Sequence, residues 1–309
     1  MNKVLVAGIE TVVGGNLAVS LARSQAVAGV SLSEPVTLSG CETVPCSDAS
    51  LESVRETINR VKPQRIVFCG ETTKTGWEAG KQPEIAAIRQ AKNWITAARD
   101  ADVHLTLISS GAVFTGPWMF HSENSQSYCP SAAAEELRKI ETAAAEASSD
   151  SLIVRTHAFG WLPGGGTGWV ESLIDQLQQG KMNGLDYFRH GSPILATDLT
   201  DIVSRAWTAG LSGLYHIAGA ERANPVQFAR RLAHHFQLPI PIPPAEFLID
   251  RPTGFGCGET SLQTRKIRRA LHVSLPMLED GVLRLFQQHS DGFRSRVSGR
   301  SMTPTSKVA

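Results

Sequence analysis

Apolar residues recur along this chain with two different spacings, in alternating segments. Short continuous apolar runs rich in β-branched residues are typical of buried parallel strands. Between these runs, apolar residues return every three or four positions, as at Leu51, Val54, Ile58 and Val61, which predicts a helix over residues 51–61. By the same criteria, strands are predicted at residues 4–7, 27–32, 65–69, 103–109, 152–156 and 213–217, and further helices at residues 14–22, 83–101, 131–147, 169–179, 199–209, 225–236 and 277–288.

This alternation of strand and helix predicts an α/β fold with a doubly wound, Rossmann-like parallel sheet and helices on both faces. We assign residues 1–160 to a Rossmann domain and residues 161–289 to a smaller substrate-binding part that is interleaved with it. The proline-rich residues 239–244 predict a stiff connector. Residues 290–309 are polar, aperiodic and basic, so we expect a disordered tail.

A glycine-rich turn follows the first strand, in the segment VLVAGIETVVGGNL. A strand, a tight turn and a helix start place unpaired backbone N–H groups and the positive end of a helix dipole at one point, where a dinucleotide pyrophosphate binds in doubly wound folds. Gly8 and Gly14 keep the glycine pattern, but Thr11 replaces the middle glycine and narrows the space for a pyrophosphate. The turn therefore either still binds a dinucleotide or is a buried strand and helix without a ligand.

Glu34 follows the second strand, where an acidic residue commonly accepts hydrogen bonds from the adenosine ribose. No arginine stands beside it to favour a 2′-phosphate. Glu34 is thus a signal for NAD, with a solvated loop carboxylate as the alternative.

The composition argues against several classes of partner and site. Lys and Arg number 30 against 29 Asp and Glu, so a formal net charge of +1 gives no overall field to attract nucleic acid or an anionic membrane. No apolar run approaches the roughly 18 residues of a membrane helix, and the chain opens without a signal-like segment, so we expect a cytoplasmic protein. The five cysteines are scattered without a C-x-x-C pair, and His234-His235 has no partner at ligand spacing, so neither disulfides nor a metal site are predicted.

Seven sequence blocks occur in a distinctive order: VLVAGIETVVGGNL, VKPQRIVFCG, LISSGAVFTGP, LIVRTHAFGW, GSPILATDLTDIV, SGLYHIAGAE and RPTGFGCGETSLQTRKI. In order and spacing, over about residues 1–288, they resemble the dTDP-4-dehydrorhamnose reductase family of the extended short-chain dehydrogenases/reductases. The resemblance implies a Rossmann domain that binds NAD or NADP and a C-terminal part that binds a nucleotide-sugar. The expected cofactor contacts are Gly8, Thr11, Val12, Val13, Gly14, Glu34, Asp48, Ser109 and Arg138.

The catalytic pair of that family is missing here. Its members resemble one another in Tyr-x-x-x-Lys, in which the tyrosine passes a proton to the sugar carbonyl and the lysine lowers the pKa of the phenol, about 10 when unperturbed. The residues four positions after the three tyrosines (Tyr128, Tyr187 and Tyr215) are Ala132, Gly191 and Gly219. The chain therefore contains no Tyr-x-x-x-Lys.

Alignment on Pro130 puts Ala134 at the family's tyrosine position and Arg138 at its lysine position. Ala134 can neither donate nor accept a proton. Arg138 either contacts a cofactor ribose or pairs with Glu135 or Glu141, each one helical turn away.

The loop after the fourth predicted sheet strand departs in the same way. The family's Ser-Thr-Asp-Tyr-Val-Phe appears as SSGAVF, in which Ser110 keeps the hydroxyl that binds a substrate carbonyl while Gly111 and Ala112 replace the acid and the aromatic residue. Ser110 is accordingly a catalytic candidate. Tyr128, paired with Lys139, is a substitute candidate, and His157 and His121 are alternative proton donors.

The coordinated losses favour a relative that binds a nucleotide-sugar or dinucleotide without hydride transfer. Such a protein would act in binding or regulation, as a homodimer or with a partner protein. Two alternatives stay open: an active NAD(P)-dependent reductase or epimerase of nucleotide-sugars with substitute residues, and a scaffold that binds no dinucleotide.

Overall fold

The computed structural model describes residues 3–46, 48–78, 83–241 and 254–299. Its strands are β1 (Lys3–Ala7), β2 (Ala26–Val30), β3 (Glu42–Thr43), β4 (Arg65–Phe68), β5 (His104–Ser110), β6 (Leu152–Thr156), β7 (Ala158–Phe159), β8 (Ile194–Leu195) and β9 (Gly213–His216). Its helices are α1 (Val12–Leu21), α2 (Leu51–Val61), α3 (Ile85–Arg89), α4 (Ala91–Asp100), α5 (Ala132–Ala147), α6 (Trp169–Gln178), α7 (Ala196–Thr208), α8 (Pro225–Phe236), α9 (Arg265–Leu271), α10 (Leu278–Ser290) and α11 (Phe293–Val297).

Seven strands form one parallel sheet in the order β3-β2-β1-β4-β5-β6-β9, and β7 pairs with β8 in a small separate ladder. The order reverses between β1 and β4, and the carboxyl ends of these strands therefore border a crevice. This confirms the predicted doubly wound, Rossmann-like fold. The strand β9 pairs in parallel with β6, so residues 213–216 belong to the same sheet as the N-terminal strands.

Each face of the sheet buries its own apolar cluster, because successive strand residues point to opposite faces. Val4 and Val6 belong to a cluster that includes residues of α1, α7, α8 and α10, whereas Leu5 and Ala7 belong to one that includes residues of α2, α4 and α5. All four β1 residues are at most 1% exposed. The continuous apolar run of β1 is thus explained by burial on both faces.

Local capping explains why several predicted helix limits agree with the structure. Ser50 caps α2 by accepting the amide of Ser53, and Lys62 ends that helix in a left-handed conformation with φ of 49°. Asn224 and Gln227 form a capping box at α8, with Pro225 as the first helical residue.

Two predictions required correction. The single helix expected over residues 83–101 is divided into α3 and α4 at Gln90. The expected disordered tail is wrong for residues 293–297, because α11 buries Phe293 and Val297 in the apolar cluster beside α1. Two apolar residues four positions apart are too short a pattern to stand out in a polar segment. Residues 242–244 of the predicted connector and residues 300–309 of the predicted tail lie outside the described residues.

Candidate functional site

The turn between β1 and α1 is built on two glycines that admit no side chain. Gly8 has a φ of +93°, and a Cβ there would lie 2.5 Å from the carbonyl oxygen of Cys69. A Cβ on Gly14 would lie 2.0 Å from the carbonyl oxygen of Gly8. These glycines therefore bring the start of α1 against the ends of β1 and β4, as the sequence pattern predicted.

Thr11 points into this turn. Its hydroxyl accepts the amide of Gly14 at 3.0 Å and lies 2.8 Å from the carbonyl oxygen of Cys69, to which it donates. The hydroxyl thus caps α1 and ties it to β4, and it occupies one of the donors that a pyrophosphate would use. The amides of Val12 and Val13 are in the first helical turn, where no intrahelical acceptor exists.

A cleft of about 990 Å³ opens above this turn. Its walls are the β1–α1 turn, residues 32–36 after β2, residues 70–78 after β4, part of α3 and residues 158–166. This is the position of the ligand crevice in open α/β sheets. Of the predicted cofactor contacts, Thr11, Val12, Val13 and Glu34 line the cleft.

The cleft is acidic. Among the described residues that line it are five glutamates, Glu10, Glu34, Glu71, Glu78 and Glu84, and one cation, Lys74. Lys74 pairs with Glu71 at 2.6 Å. Burial raises the pKa of Glu78 to about 7, although the amide of Thr75 and the charge of Lys74 oppose the shift.

Glu10 was not anticipated as a site residue. Its carboxylate accepts the amides of Leu32 and Ser33, each at 3.0 Å, and the hydroxyl of Ser33 at 3.1 Å. Burial raises its pKa, against these hydrogen bonds, which favour the charged form. A second carboxylate therefore stands with Glu34 beside the end of β2, where an adenosine ribose binds in folds of this class.

Gly8 and Gly14 form the turn beneath this cleft, and the other predicted site residues do not line it. Ser109 is buried and donates to Glu141 at 2.6 Å, and Ser110, which is 1% exposed, accepts the amide of Ala112 at 3.1 Å. Asp48 accepts the amide of Ser50 at 2.9 Å just before α2. The Ser110 hydroxyl thus caps the turn after β5, and the Ser109 hydroxyl links β5 to α5.

Ala134, which alignment on Pro130 puts at the family's tyrosine position, is fully buried in the apolar cluster under α5. The guanidinium of Arg138 lies 4.3 Å from the centre of the Tyr128 ring. Glu135 pairs with Lys139 at 2.7 Å, and Glu141 pairs with Arg155 at 2.6 Å. The suggested pairing of Arg138 with either glutamate is therefore wrong, since both carboxylates have other partners. Lys139 itself is about half exposed, on the surface of α5.

A C-terminal segment, residues 254–262, covers the loop after β5. A Cβ on Gly111 would lie 3.1 Å from the carbonyl oxygen of Thr260, and one on Gly76 would lie 2.0 Å from that of Gly256. The hydroxyl of Thr115 donates to the carbonyl oxygen of Cys257 at 3.1 Å. Glycines at these places allow backbone to pack directly on backbone beside Ser110.

The candidate histidines are held within the fold. Burial, with the nearby charge of Arg189, lowers the pKa of His157 to about 3. Both ring nitrogens of His121 have partners, the Ser125 hydroxyl at 3.0 Å and the Glu259 carbonyl oxygen at 3.2 Å, and burial lowers its pKa. His235 lies 2.6 Å from a carboxylate oxygen of Glu279. Burial thus disfavours the charged form of both imidazole rings, which weakens them as proton donors.

Among the described residues, no group of three or more His, Cys, Asp or Glu side chains is placed to hold a metal ion. No helix within the described ranges is long and apolar enough to cross a membrane.

The parallel sheet, the glycine turn and the crevice above it define a protein of the Rossmann class, in the form of the extended short-chain dehydrogenases/reductases. The family model described as RmlD substrate binding domain matches residues 1–290. The chain belongs to this family, which confirms the resemblance read from its sequence blocks. No curated protein sequence matches the chain at a significant level.

Solved structures agree with this assignment. The dTDP-4-dehydrorhamnose reductase of Bacillus anthracis, in complex with NADP, is similar with a TM-score of 0.75 and 18% identity, covering 93% of this chain and 99% of that one. The orthologue from Clostridium acetobutylicum has a TM-score of 0.73 and 17% identity over 93% and 99% of the two chains. The enzyme WbmG of Bordetella bronchiseptica, in complex with NAD and UDP, has a TM-score of 0.73 and 12% identity over 97% of each chain.

Proposed function

We propose that this protein binds an NAD-type dinucleotide in the acidic cleft and transfers no hydride to a sugar, so that it serves as a binding or regulatory protein. The main support for this proposal is the position of Ala134. This residue occupies the family's tyrosine position on α5, and its methyl group is fully buried. A proton donor is thus missing from the point where the family's chemistry requires one.

The neighbouring groups support the same proposal. Ser110 caps the loop that follows β5, and residues 254–262 cover that loop. Arg138 packs on Tyr128, and burial lowers the pKa of both His121 and His157. None of these residues lines the cleft above the glycine turn.

Retention of the dinucleotide is supported by the turn itself. Gly8 and Gly14 hold the start of α1 beneath the cleft, and the amides of Val12 and Val13 face the position of a pyrophosphate in this class of fold. Of the related structures named above, the Bacillus anthracis reductase is in complex with NADP and WbmG is in complex with NAD.

A second candidate function, a scaffold without dinucleotide, is favoured by the charge of the cleft, because five carboxylates repel a pyrophosphate. Titration of the full chain with NADH, followed by tryptophan fluorescence and by calorimetry, separates the two candidates. Saturable binding supports the first, and no binding at millimolar NADH supports the second.

We predict no oxidation of NADH in the presence of a dTDP-4-keto sugar, measured by NADH absorbance with the purified full chain. A turnover that Tyr128→Phe abolishes would contradict the proposal and would establish the alternative of an active reductase with Tyr128 as its acid. Lys139→Met serves as the companion variant, because the substitute pair would need that cation.

We also predict a preference for NADH over NADPH of about tenfold. A 2′-phosphate at the end of β2 would meet the negative charges of Glu10 and Glu34, whereas a ribose hydroxyl can donate to Glu34. Glu10→Gln is expected to reduce this preference by removing one charge while keeping an acceptor for Leu32. Glu84→Gln, at another part of the cleft, is the matched control, and equal affinities in the unmodified protein would refute the prediction.

Dinucleotide binding is expected to depend on pH through Glu78. Its pKa of about 7 means that the group is mostly charged at about pH 8 and mostly neutral at about pH 6. The affinity for NADH should therefore rise several-fold as the pH falls across this interval. In Glu78→Gln the affinity should be high and constant, and a pH dependence that survives this substitution would assign the effect to another group.

A further inference from the structure

The short helix α9 carries a stripe of basic side chains. Arg265, Arg268, Arg269 and His272 are spaced i, i+3, i+4 and i+7, which places them on one side of the helix. Ile267, on the other side, is fully buried. The arginines are all exposed. Three arginines and a histidine therefore lie together on the side of α9 that faces away from the core.

Among the described residues, no carboxylate pairs with the arginines of this stripe. Residues 260–278 contain neither Asp nor Glu. Elsewhere in the C-terminal part, Arg222, Arg231 and Arg284 each pair with a carboxylate. Within the described part of the chain, no such pair forms at Arg265, Arg268 or Arg269. Like charges at these helical spacings repel each other, so the stripe is unfavourable for the protein without a counter-ion.

The stripe faces a pocket. A cavity of about 610 Å³ lies between α9 and the loop that contains Phe120, with Gly219 and Ala220 among its lining residues. This volume is in the range of cavities that bind small molecules. Phe120 is 40% exposed and lines the same cavity, so the pocket combines one aromatic wall with one cationic wall.

Hydrogen bonds join the two walls of the pocket. The amide of Phe120 donates to the Ser261 hydroxyl at 2.8 Å, and the amide of His121 donates to the Ser261 carbonyl oxygen at 2.8 Å. The amide of Gln263 donates in return to the carbonyl oxygen of His121 at 2.8 Å. Because these residues lead directly into α9, the hydrogen bonds place the backbone of Phe120 beside the start of that helix.

This pocket shares no lining residue with the cleft above the glycine turn, and its charge is of opposite sign. We propose that it is a second binding site, for a phosphate-bearing ligand with a planar ring, that is, a nucleotide-type anion. Arg265, Arg268 and Arg269 bind the phosphate oxygens, because a guanidinium donates two parallel hydrogen bonds to such groups. Phe120 packs against the ring.

The test is calorimetric titration of the full chain with inorganic pyrophosphate and with ADP. We expect both to bind, and we expect Arg268→Gln with Arg269→Gln to weaken both by about tenfold or more. Phe120→Ala should weaken ADP and leave pyrophosphate unchanged. Arg230→Gln, an exposed arginine on α8, is the matched control and should change neither affinity.

Two further measurements keep the result decisive. Thermal unfolding of the ligand-free double variant should occur at the same or a higher temperature, because repulsion within α9 is relieved. Its affinity for NADH should be unchanged, which separates this site from the acidic cleft and from the proposed function.

The phosphate could also belong to a lipid headgroup, since Trp118 and Met119, beside Phe120, are 70% and 60% exposed. Co-sedimentation with phosphatidylserine vesicles, against phosphatidylcholine vesicles, distinguishes this source. Binding to the anionic vesicles alone, lost in the double variant, would assign the site to a lipid phosphate. Pyrophosphate and ADP affinities that the double variant leaves intact, or no binding to any of these probes, would overturn the proposal.

Discussion

Replacement of Glu141 by leucine is expected to lower the free energy of unfolding by about 3–5 kcal/mol. Glu141 and Arg155 form a buried pair with side chains 7% and 5% exposed, joined by two hydrogen bonds of 2.9 and 2.6 Å. The substitution leaves the guanidinium of Arg155 inside the protein without its counter-ion. It also deprives the Ser109 hydroxyl of its acceptor.

Urea unfolding of the variant and of the unmodified protein measures this loss. Glu146→Leu, on the exposed side of the same helix, is the matched control and should change the free energy of unfolding by less than about 0.5 kcal/mol. Adding Arg155→Met to Glu141→Leu should recover a large part of the loss, because the double variant has no unpaired charge. A loss below about 1 kcal/mol for Glu141→Leu would mean that water reaches this pair.

The second large effect is expected from Gly14→Ala, which should cost about 3 kcal/mol of stability and abolish NADH binding. The new methyl group would lie 2.0 Å from the carbonyl oxygen of Gly8, which belongs to the backbone and cannot rotate away. The start of α1 must then move away from β1. The amides of Val12 and Val13 would move with it, so the pyrophosphate would lose its donors.

Ser20→Ala, near the other end of α1, serves as the control because it keeps the helix and leaves the turn untouched. Thermal unfolding and NADH titration should both be unchanged in this variant. If a folded Gly14→Ala protein bound NADH normally, dinucleotide binding would not depend on this turn.

Much of the fold could be predicted because its signals are local. The limits of α2 and α8 agree with the three-four spacing of apolar residues and with caps at Ser50 and Asn224, which act over three or four residues. The division of the helix near Gln90 and the short helix α11 were missed. For α11 the deciding contacts are tertiary, because Phe293 and Val297 are buried beside α1.

The candidate site divides in the same way. Gly8, Gly14 and Glu34 could be predicted as cofactor contacts because their positions relative to the predicted strands and the first helix are visible in the sequence. Glu10 could not, since its role depends on amides of Leu32 and Ser33, 22 and 23 residues away. The pairing of Arg138 was mistaken because helical spacing offers Glu135 and Glu141 as neighbours but cannot show that Lys139 and Arg155 already hold them.

By itself, the sequence determined the succession of strands and helices, the glycine turn and the loss of Tyr-x-x-x-Lys, because each is a property of residues close together in the chain. Only the tertiary structure decided that the cleft is acidic, that residues 254–262 cover the loop after β5 and that the arginines of α9 face Phe120. These are contacts between segments that are far apart in the chain. Their energies depend on burial and on distances in space, and neither can be inferred from the positions of residues along the chain.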